Sequence, residues 1–346
     1  MGASKTNPGR FFEDYRLGET LIHAVPRTVS GGERALYHAL YPARHALASS
    51  DEFARACGLR ESPLDELAAF HIVFGKSVPD VSLNAVANLG YAEGRFLRPV
   101  WIGDTLRAES TVIGLKQNSS GKSGVVWVHT KGFNQSGDVV IDYKRWVMVK
   151  KRDADAPAPE TVIPDLAPAL EAGQLTVPEG LDFSAYDFAL AGEPHRWGDY
   201  AIGEKIDHVD GVTVEEAEHM IATRLWQNTS KVHFDVLARE AWQRLIYGGH
   251  VISMARALSF NGLANAQLIA GINAGAHVNP CAAGDTIRAW SEVLDKAETG
   301  APGVGALRLR LVATKGESRD CHLRDGEGQY HKDILLDLDY WVLMPR

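Results

Sequence analysis

Residues 94–117 read GRFLRPVWIGDTLRAESTVIGLKQ, and residues 275–298 read GAHVNPCAAGDTIRAWSEVLDKAE. The two stretches align without a gap and share a glycine, a proline, the triplet Gly-Asp-Thr and a following Arg-Ala. Further matches lie outward on both sides. FFEDYRLGETLIHAVPRTVSGGERALYHALYPARHALASSD (residues 11–51) runs against RWGDYAIGEKIDHVDGVTVEEAEHMIATRLWQNTSKVHFDV (residues 196–236). Thr28 then falls opposite Thr213, Leu40 opposite Leu225 and Tyr41 opposite Trp226. DYKRWVMVKKR and LDYWVLMPR pair near the ends of the two copies. Order and spacing hold across all three pairs, so one structural unit is written twice.

The copies occupy residues 1–152 and 196–346. Between them, 153–195 is read as a linker, because Pro and Ala interrupt every period there and Pro removes ladder donors. Each copy opens on an amphipathic helix. In the second, Thr213 with Glu216 has capping-box spacing, and Ala217, Met220, Ile221 and Leu225 share a face; in the first, Ser30 and Glu33 give the same signal. A helix apolar on nearly every side follows, expected at SVPDVSLNAVANL (residues 77–89) and at VISMARALSF (residues 251–260), and such a helix has to be enclosed. Long strands come next: GVVWVHTKGF and DVVIDYKRWVMVK, then GALRLRLVATKG and DILLDLDYWVLM. Leu307, Leu309 and Leu311 alternate with Arg308 and Arg310, the period of a half-buried antiparallel strand. GAPGVGA between strands reads as a hairpin turn rather than a phosphate loop. The predicted class is α+β, a tandem hotdog in which each antiparallel sheet wraps one buried helix and the two sheets meet edge to edge around a cleft.

Composition removes several functional classes. The chain has 346 residues, 45% of them hydrophobic and 23% charged, which is ordinary for a soluble globular protein long enough for two domains, each with its own core. Neither a membrane-length apolar run nor a signal-peptide core is visible, and the expected location is cytoplasmic. A net charge of −8 argues against nucleic acid as a partner but leaves room for one anionic ligand. Cys57, Cys281 and Cys321 are far apart and read as buried or idle thiols, and the thirteen histidines show no metal-ligand spacing.

Residues 225–235, LWQNTSKVHFD, crowd two amides, two hydroxyls, an ammonium, an imidazole and a carboxylate between two amphipathic stretches. The segment resembles the MaoC-type hydratase motif G-D-x-N-P-[LIV]-H, with Gln227 to His233 in its seven places and Asp235 two residues on. YGGHVISMA (residues 247–255) resembles the family's turn into the buried helix, and both Gly-Asp-Thr segments resemble its strand entry. Chain length and SGGERALYHALYPARHALASSDEFA are similar to a narrower group, the mesaconyl-CoA hydratases, also called β-methylmalyl-CoA dehydratases.

The resemblance implies a hydro-lyase that reversibly adds water to a branched, dicarboxylic 2-enoyl-CoA, with coenzyme A as substrate handle and no cofactor. It implies His233 as general acid/base. Asn228 stands where the family has aspartate, and an amide orients a water without taking its proton. Backbone amides of Gly248, Gly249 or His250 at the helix start would polarise the thioester. Asp235 is a candidate orienter of the imidazole. Ser230, Arg224, Arg44 and His45 are candidate substrate contacts, and Lys122, Lys131 and Arg145 are equally eligible for the coenzyme's phosphates. Ala43 and Ala48 replace the motif's aspartate and histidine in the first copy, which is therefore expected to be catalytically silent. Two alternatives stand: an (R)-specific enoyl-CoA hydratase for simple chains, and a non-catalytic acyl-thioester binding module. A thioesterase is further off. Against each role stands a structural one: His233 as a partly buried ring bonded to a carbonyl, Asn228 as a helix C-cap, the glycines as a tight turn. Hotdog sheets commonly associate, so a homo-oligomer is expected.

Overall fold

The computed structural model describes residues 5–42, 44–238, 243–316 and 322–346. Ten strands form one antiparallel sheet: β1 Thr20–Thr28, β2 Ala85–Phe96, β3 Thr105–Gln117, β4 Ser123–Phe133, β5 Val139–Lys150, β6 Lys205–Thr213, β7 Leu268–His277, β8 Thr286–Glu298, β9 Val304–Lys315 and β10 Ile334–Pro345. Their order is β1-β3-β4-β5-β2-β7-β10-β9-β8-β6, so the second five repeat the first five about the β2–β7 seam. At the seam Tyr91 lies opposite Gly275 and Gly94 opposite Ile272. Along β9 the three leucines are buried, while Arg308 and Arg310 turn to the other face and pair with Asp339 and Asp337. Residues 299–303 turn between β8 and β9, as the glycine-rich stretch suggested.

The duplication extends to single hydrogen bonds. Thr28 Oγ1 is 2.7 Å from Thr105 Oγ1, and Thr213 Oγ1 is 2.8 Å from Thr286 Oγ1. His23 and His208 each meet a strand serine, Ser110 and Ser291, at 2.8 Å. The glycine of each Gly-Asp-Thr is needed for its backbone, since Gly103 has φ +98° and Gly284 φ +92°.

Each half wraps one central helix. In the second half this is Gly248–Leu258, buried except at its first residue and overlapping the expected segment. In the first half the expected segment is wrong. The helix is Glu66–Ser77, buried except at Glu66, whereas 78–82 form one π turn and most of the remainder belongs to β2. The start signal is Asp65, whose carboxylate accepts the Leu67 N–H at 2.9 Å. Pro79 cannot continue an α ladder, which is why the α-helix gives way to the π turn there. A capping bond contributes about 1 kcal/mol, and each enclosed Phe, Ile or Val about 1.5–3 kcal/mol, so enclosure holds this helix.

The two central helices touch: His71 Nε2 lies 3.0 Å from Ser253 Oγ, and Tyr37 Oη donates to the same oxygen at 3.3 Å. One hydrophobic cluster draws Phe70, Phe74 and Tyr91 from the first half and Val251, Ile252 and Leu338 from the second, so the halves share a core. Residues 153–195 pack over the sheet, burying Leu170, Leu181, Phe183 and Tyr186. No helix among the described residues is long and apolar enough to cross a membrane.

Candidate active site

The helix leading to the polar loop is Glu216–Leu225, two residues later than the capping-box spacing suggested. Glu215 and Glu218 make the box, because Thr213 is already committed to β6 and to Thr286. The buried face is also different. His219, Ala222, Thr223 and Leu225 are buried, whereas Ala217 and Ile221 face out. Two polar residues point inward with local partners: Thr223 Oγ1 donates to the His219 carbonyl at 2.6 Å, and His219 Nε2 meets Glu216 at 2.9 Å.

The helix ends in a Schellman turn. Gln227 adopts φ +53°, its N–H donates to Arg224 O at 3.0 Å, and the Asn228 N–H donates to Thr223 O at 3.1 Å. Asn228 is thereby drawn inside. Its Oδ1 accepts the Ser230 N–H at 2.9 Å, which leaves its NH2 as the group offered to the neighbouring cavity. Gly75 of the first central helix packs directly on this turn; a methyl there would overlap the Trp226 carbonyl and approach Asn228 N to 3.3 Å.

His233 ends a single 3-10 turn, Lys231–His233, and is buried. Its Nδ1 lies 2.8 Å from the Leu245 carbonyl oxygen. A carbonyl only accepts, so Nδ1 carries a proton, and proton transfer at this ring falls to Nε2. Asp235 does not orient this ring, contrary to expectation. It is exposed and accepts the Leu237 N–H at 2.9 Å. The nearer backbone carbonyl takes that role because the Val232–Leu245 backbone bond, 3.0 Å, brings the two segments together.

Both residues line a cavity of about 300 Å³ between the halves. Ser230 and Gly248 line it as well, together with Ser82, Asn88 and Tyr91 from the first half. At the helix mouth the His250 N–H is already donated to Tyr247 O at 2.9 Å, so it drops out as a thioester donor. The His250 ring is buried against Tyr41 Oη at 3.0 Å. Gly248 and Gly249 remain, being the first two helical residues, whose amides have no acceptor inside the helix. Gly248 faces the cavity, while Gly249 lies against the rings of Tyr247 and His71.

Three expected substrate contacts lie elsewhere. Arg224 is exposed outside the cavity. The Arg44 guanidinium sits 4.6 Å over the Phe260 ring, and His45 is buried against the same ring, held well below its ordinary pKa by burial. Both belong to the equivalent loop of the first half. Ala48 is there too, and Ala43 falls outside the described residues. Lys122 and Lys131 do not line the cavity, and Arg145 is wholly buried, closed to a coenzyme phosphate. Cys281 lines the cavity with its thiol pushed up to about 12 by burial, so it stays protonated; Cys57 is buried and Cys321 lies outside the described residues.

Sequence reasoning missed His277. It lines the cavity, its Nε2 is 3.1 Å from Tyr91 Oη, and a methyl on Gly248 would overlap its ring. The signal was present in the duplicated stretch, where the first copy has Phe96 opposite His277. The equivalent site of the first half is plugged. Glu66 stands where the other half has Gly248 and Ile269 where it has Asn88, and the space left is about 20 Å³. The Glu66 carboxyl, pushed up to about 8 by burial, accepts the Ile269 N–H at 3.1 Å and sits at that helix mouth itself.

The family model described as mesaconyl-CoA hydratase matches residues 2–322. The chain is 74% identical over 342 residues to a mesaconyl-CoA hydratase of Cereibacter sphaeroides, covering 99% of this chain and all of that protein. It is 59% identical over 351 residues to a β-methylmalyl-CoA dehydratase of Chloroflexus aurantiacus, covering 99% of each. Among solved structures, a MaoC domain dehydratase from Chloroflexus aurantiacus superposes with a TM-score of 0.97 at 58% identity over 99% of both chains. A Mycobacterium tuberculosis protein with a double hotdog fold superposes with a TM-score of 0.73 at 23% identity, covering 97% of this chain and 98% of that one, which bears on the fold alone.

Proposed function

The chain belongs to the mesaconyl-CoA hydratase family, and on that premise we propose that it reversibly hydrates mesaconyl-CoA to β-methylmalyl-CoA in the cavity between its halves. The observation that carries the reading is that Asn228, His233 and Gly248 all line that cavity. The Asn228 NH2 holds the water. His233 Nε2 takes its proton as the oxygen bonds to the β-carbon, and the alkene electron pair moves to the thioester carbonyl. The Gly248 amide, at the positive end of the central helix, stabilises the enolate oxygen. The imidazolium then returns the proton to the α-carbon, and the same ring serves the reverse reaction. Each step is assigned to a group of this chain, and the coenzyme is the substrate's handle. Association with further copies belongs to the same proposal: the edge strand β1 leaves Ile22 83% exposed, an apolar face that a second copy would cover.

One observation favours the plain enoyl-CoA hydratase: none of the described cavity-lining residues is Lys or Arg. Loss of the enoyl-thioester absorbance, followed with mesaconyl-CoA and crotonyl-CoA side by side, decides between them. We expect mesaconyl-CoA to be preferred in kcat/KM by about a hundredfold or more, because polar groups on the lining, among them Ser82 and the Asn88 amide, which has no partner among the described residues, are left unpaired by a chain that lacks the carboxylate. Preference for crotonyl-CoA would establish the alternative, and inertness toward both would leave a binding module. His233→Ala is expected to lower kcat by about 10²–10⁴ with its melting temperature retained; near-normal turnover would remove His233 from the mechanism.

A further inference from the structure

We propose that His277 is a third member of the catalytic centre, donating a hydrogen bond from Nδ1 to the thioester oxygen beside the Gly248 amide. The inference rests on the hydratase reading above and extends it to a side chain outside the polar loop.

The argument begins with Tyr91. Its hydroxyl has His277 as its one hydrogen-bond partner among the described residues, and burial pushes its pKa well up, so it keeps its proton and donates it to Nε2. With Nε2 accepting, a neutral imidazole carries its own proton on Nδ1. That nitrogen has no protein partner among the described residues, is not sealed in the core, and belongs to a ring on the cavity wall. Burial, reinforced by His233, pushes His277 down to about 4, so the ring at neutral pH is an uncharged donor and not an imidazolium. A neutral donor suits an oxygen that gains charge only during reaction, because it needs no counterion in the resting site.

Position supports the same role. The ring rests on the first residue of the central helix, close enough that only glycine fits at 248. An oxygen approaching the helix mouth therefore meets the Gly248 amide and the His277 imidazole together. The silent half supplies the contrast, with Phe96 in place of the donor and Glu66 in place of the open mouth. As water adds to the β-carbon and its proton passes to His233, negative charge reaches the carbonyl oxygen. His277 shares that charge through its N–H and gives up no proton, so protons and electrons balance as in the scheme above.

Three variants test it, assayed on mesaconyl-CoA with melting curves alongside. His277→Phe, the silent half's residue, is expected to lower kcat about 10²–10³-fold, the loss seen for a single oxyanion donor, with KM changed little. His277→Asn, whose amide NH2 overlays Nδ1, is expected to recover most of that loss. Tyr91→Phe frees the tautomer and should cost about tenfold in kcat. In all three the pH dependence set by His233 should stay where it is in the parent. A folded His277→Phe enzyme with kcat within threefold of the parent overturns the assignment, as does equal loss in the Phe and Asn variants or an effect confined to KM. Should Phe not be tolerated over Gly248, an unchanged kcat in Tyr91→Phe overturns it as well. Those outcomes leave an active parent and the hydratase reading standing, whereas a parent inert toward mesaconyl-CoA and crotonyl-CoA removes both.

Discussion

At position 228 the oxygen of the amide is already engaged by the Ser230 N–H, so the end presented to the cavity is a donor. Aspartate would keep the Ser230 bond and present a second anionic oxygen in its place. On a substrate that carries its own carboxylate, two negative charges would then share one small cavity, which is unfavourable at low dielectric. Asn228→Asp is accordingly expected to lower kcat/KM for mesaconyl-CoA by about tenfold or more and to spare or raise turnover of crotonyl-CoA. The enoyl absorbance assay checks both, and a gain on mesaconyl-CoA would show the amide to be a decayed acid. Both bland alternatives for this loop are partly true in the structure. The Asn228 N–H does close a helix, and the His233 ring does bond a carbonyl. Neither excludes chemistry, because the backbone closes the helix, the Asn228 side chain lines the cavity, and the carbonyl engages Nδ1 rather than Nε2 of His233.

Among the elements, those with two chemically distinct faces were legible and those without were not. Strand β9 announces itself by alternation, whereas the helix ELAAFHIVFGKS has almost no polar face and looks the same to a periodicity test as a buried strand. Its function was hidden for the same reason: Gly75 looks like a helix breaker, yet the glycine is there because the Trp226–Asn228 turn passes over it. Alanine is the better helix former by about 1 kcal/mol, so on propensity alone Gly75→Ala should stabilise the protein. The contact predicts the reverse. The variant should lose about 1–3 kcal/mol by denaturant unfolding, and its kcat should fall about tenfold as the turn carrying Asn228 is displaced. A more stable and fully active variant would mean that the turn moves aside without consequence. The face of Glu216–Leu225 was misread by a related route, since a histidine and a threonine with local partners are buried as readily as apolar residues.

Across the whole molecule, duplication was the most legible feature; the asymmetry between the copies was legible at Ala43 and Ala48 but not at Glu66, Phe96 or Ile269, which lie outside the motif. One consequence spans both halves. His71 and His250 are pushed down to about 3, His208 and His277 to about 4, and His45 well below its usual value, all chiefly by burial. In the unfolded chain each takes up a proton near pH 6.5, and in the folded protein it does so only near its depressed value. The unfolded state therefore binds more protons between those limits. Stability is complete above about pH 6.5 and falls as the pH drops toward 4, by up to about 1.4 kcal/mol per pH unit for each ring. Glu66 acts with the opposite sign, its contribution fading as the pH rises through about 8, so the maximum is expected near neutrality. Urea midpoints measured from pH 6.5 to 4.5 should decline throughout, and His277→Phe should flatten the slope by one ring's share. A profile flat to pH 4.5 would mean that these imidazoles reach water in the folded state, and the neutral donor assigned to His277 would lose its basis.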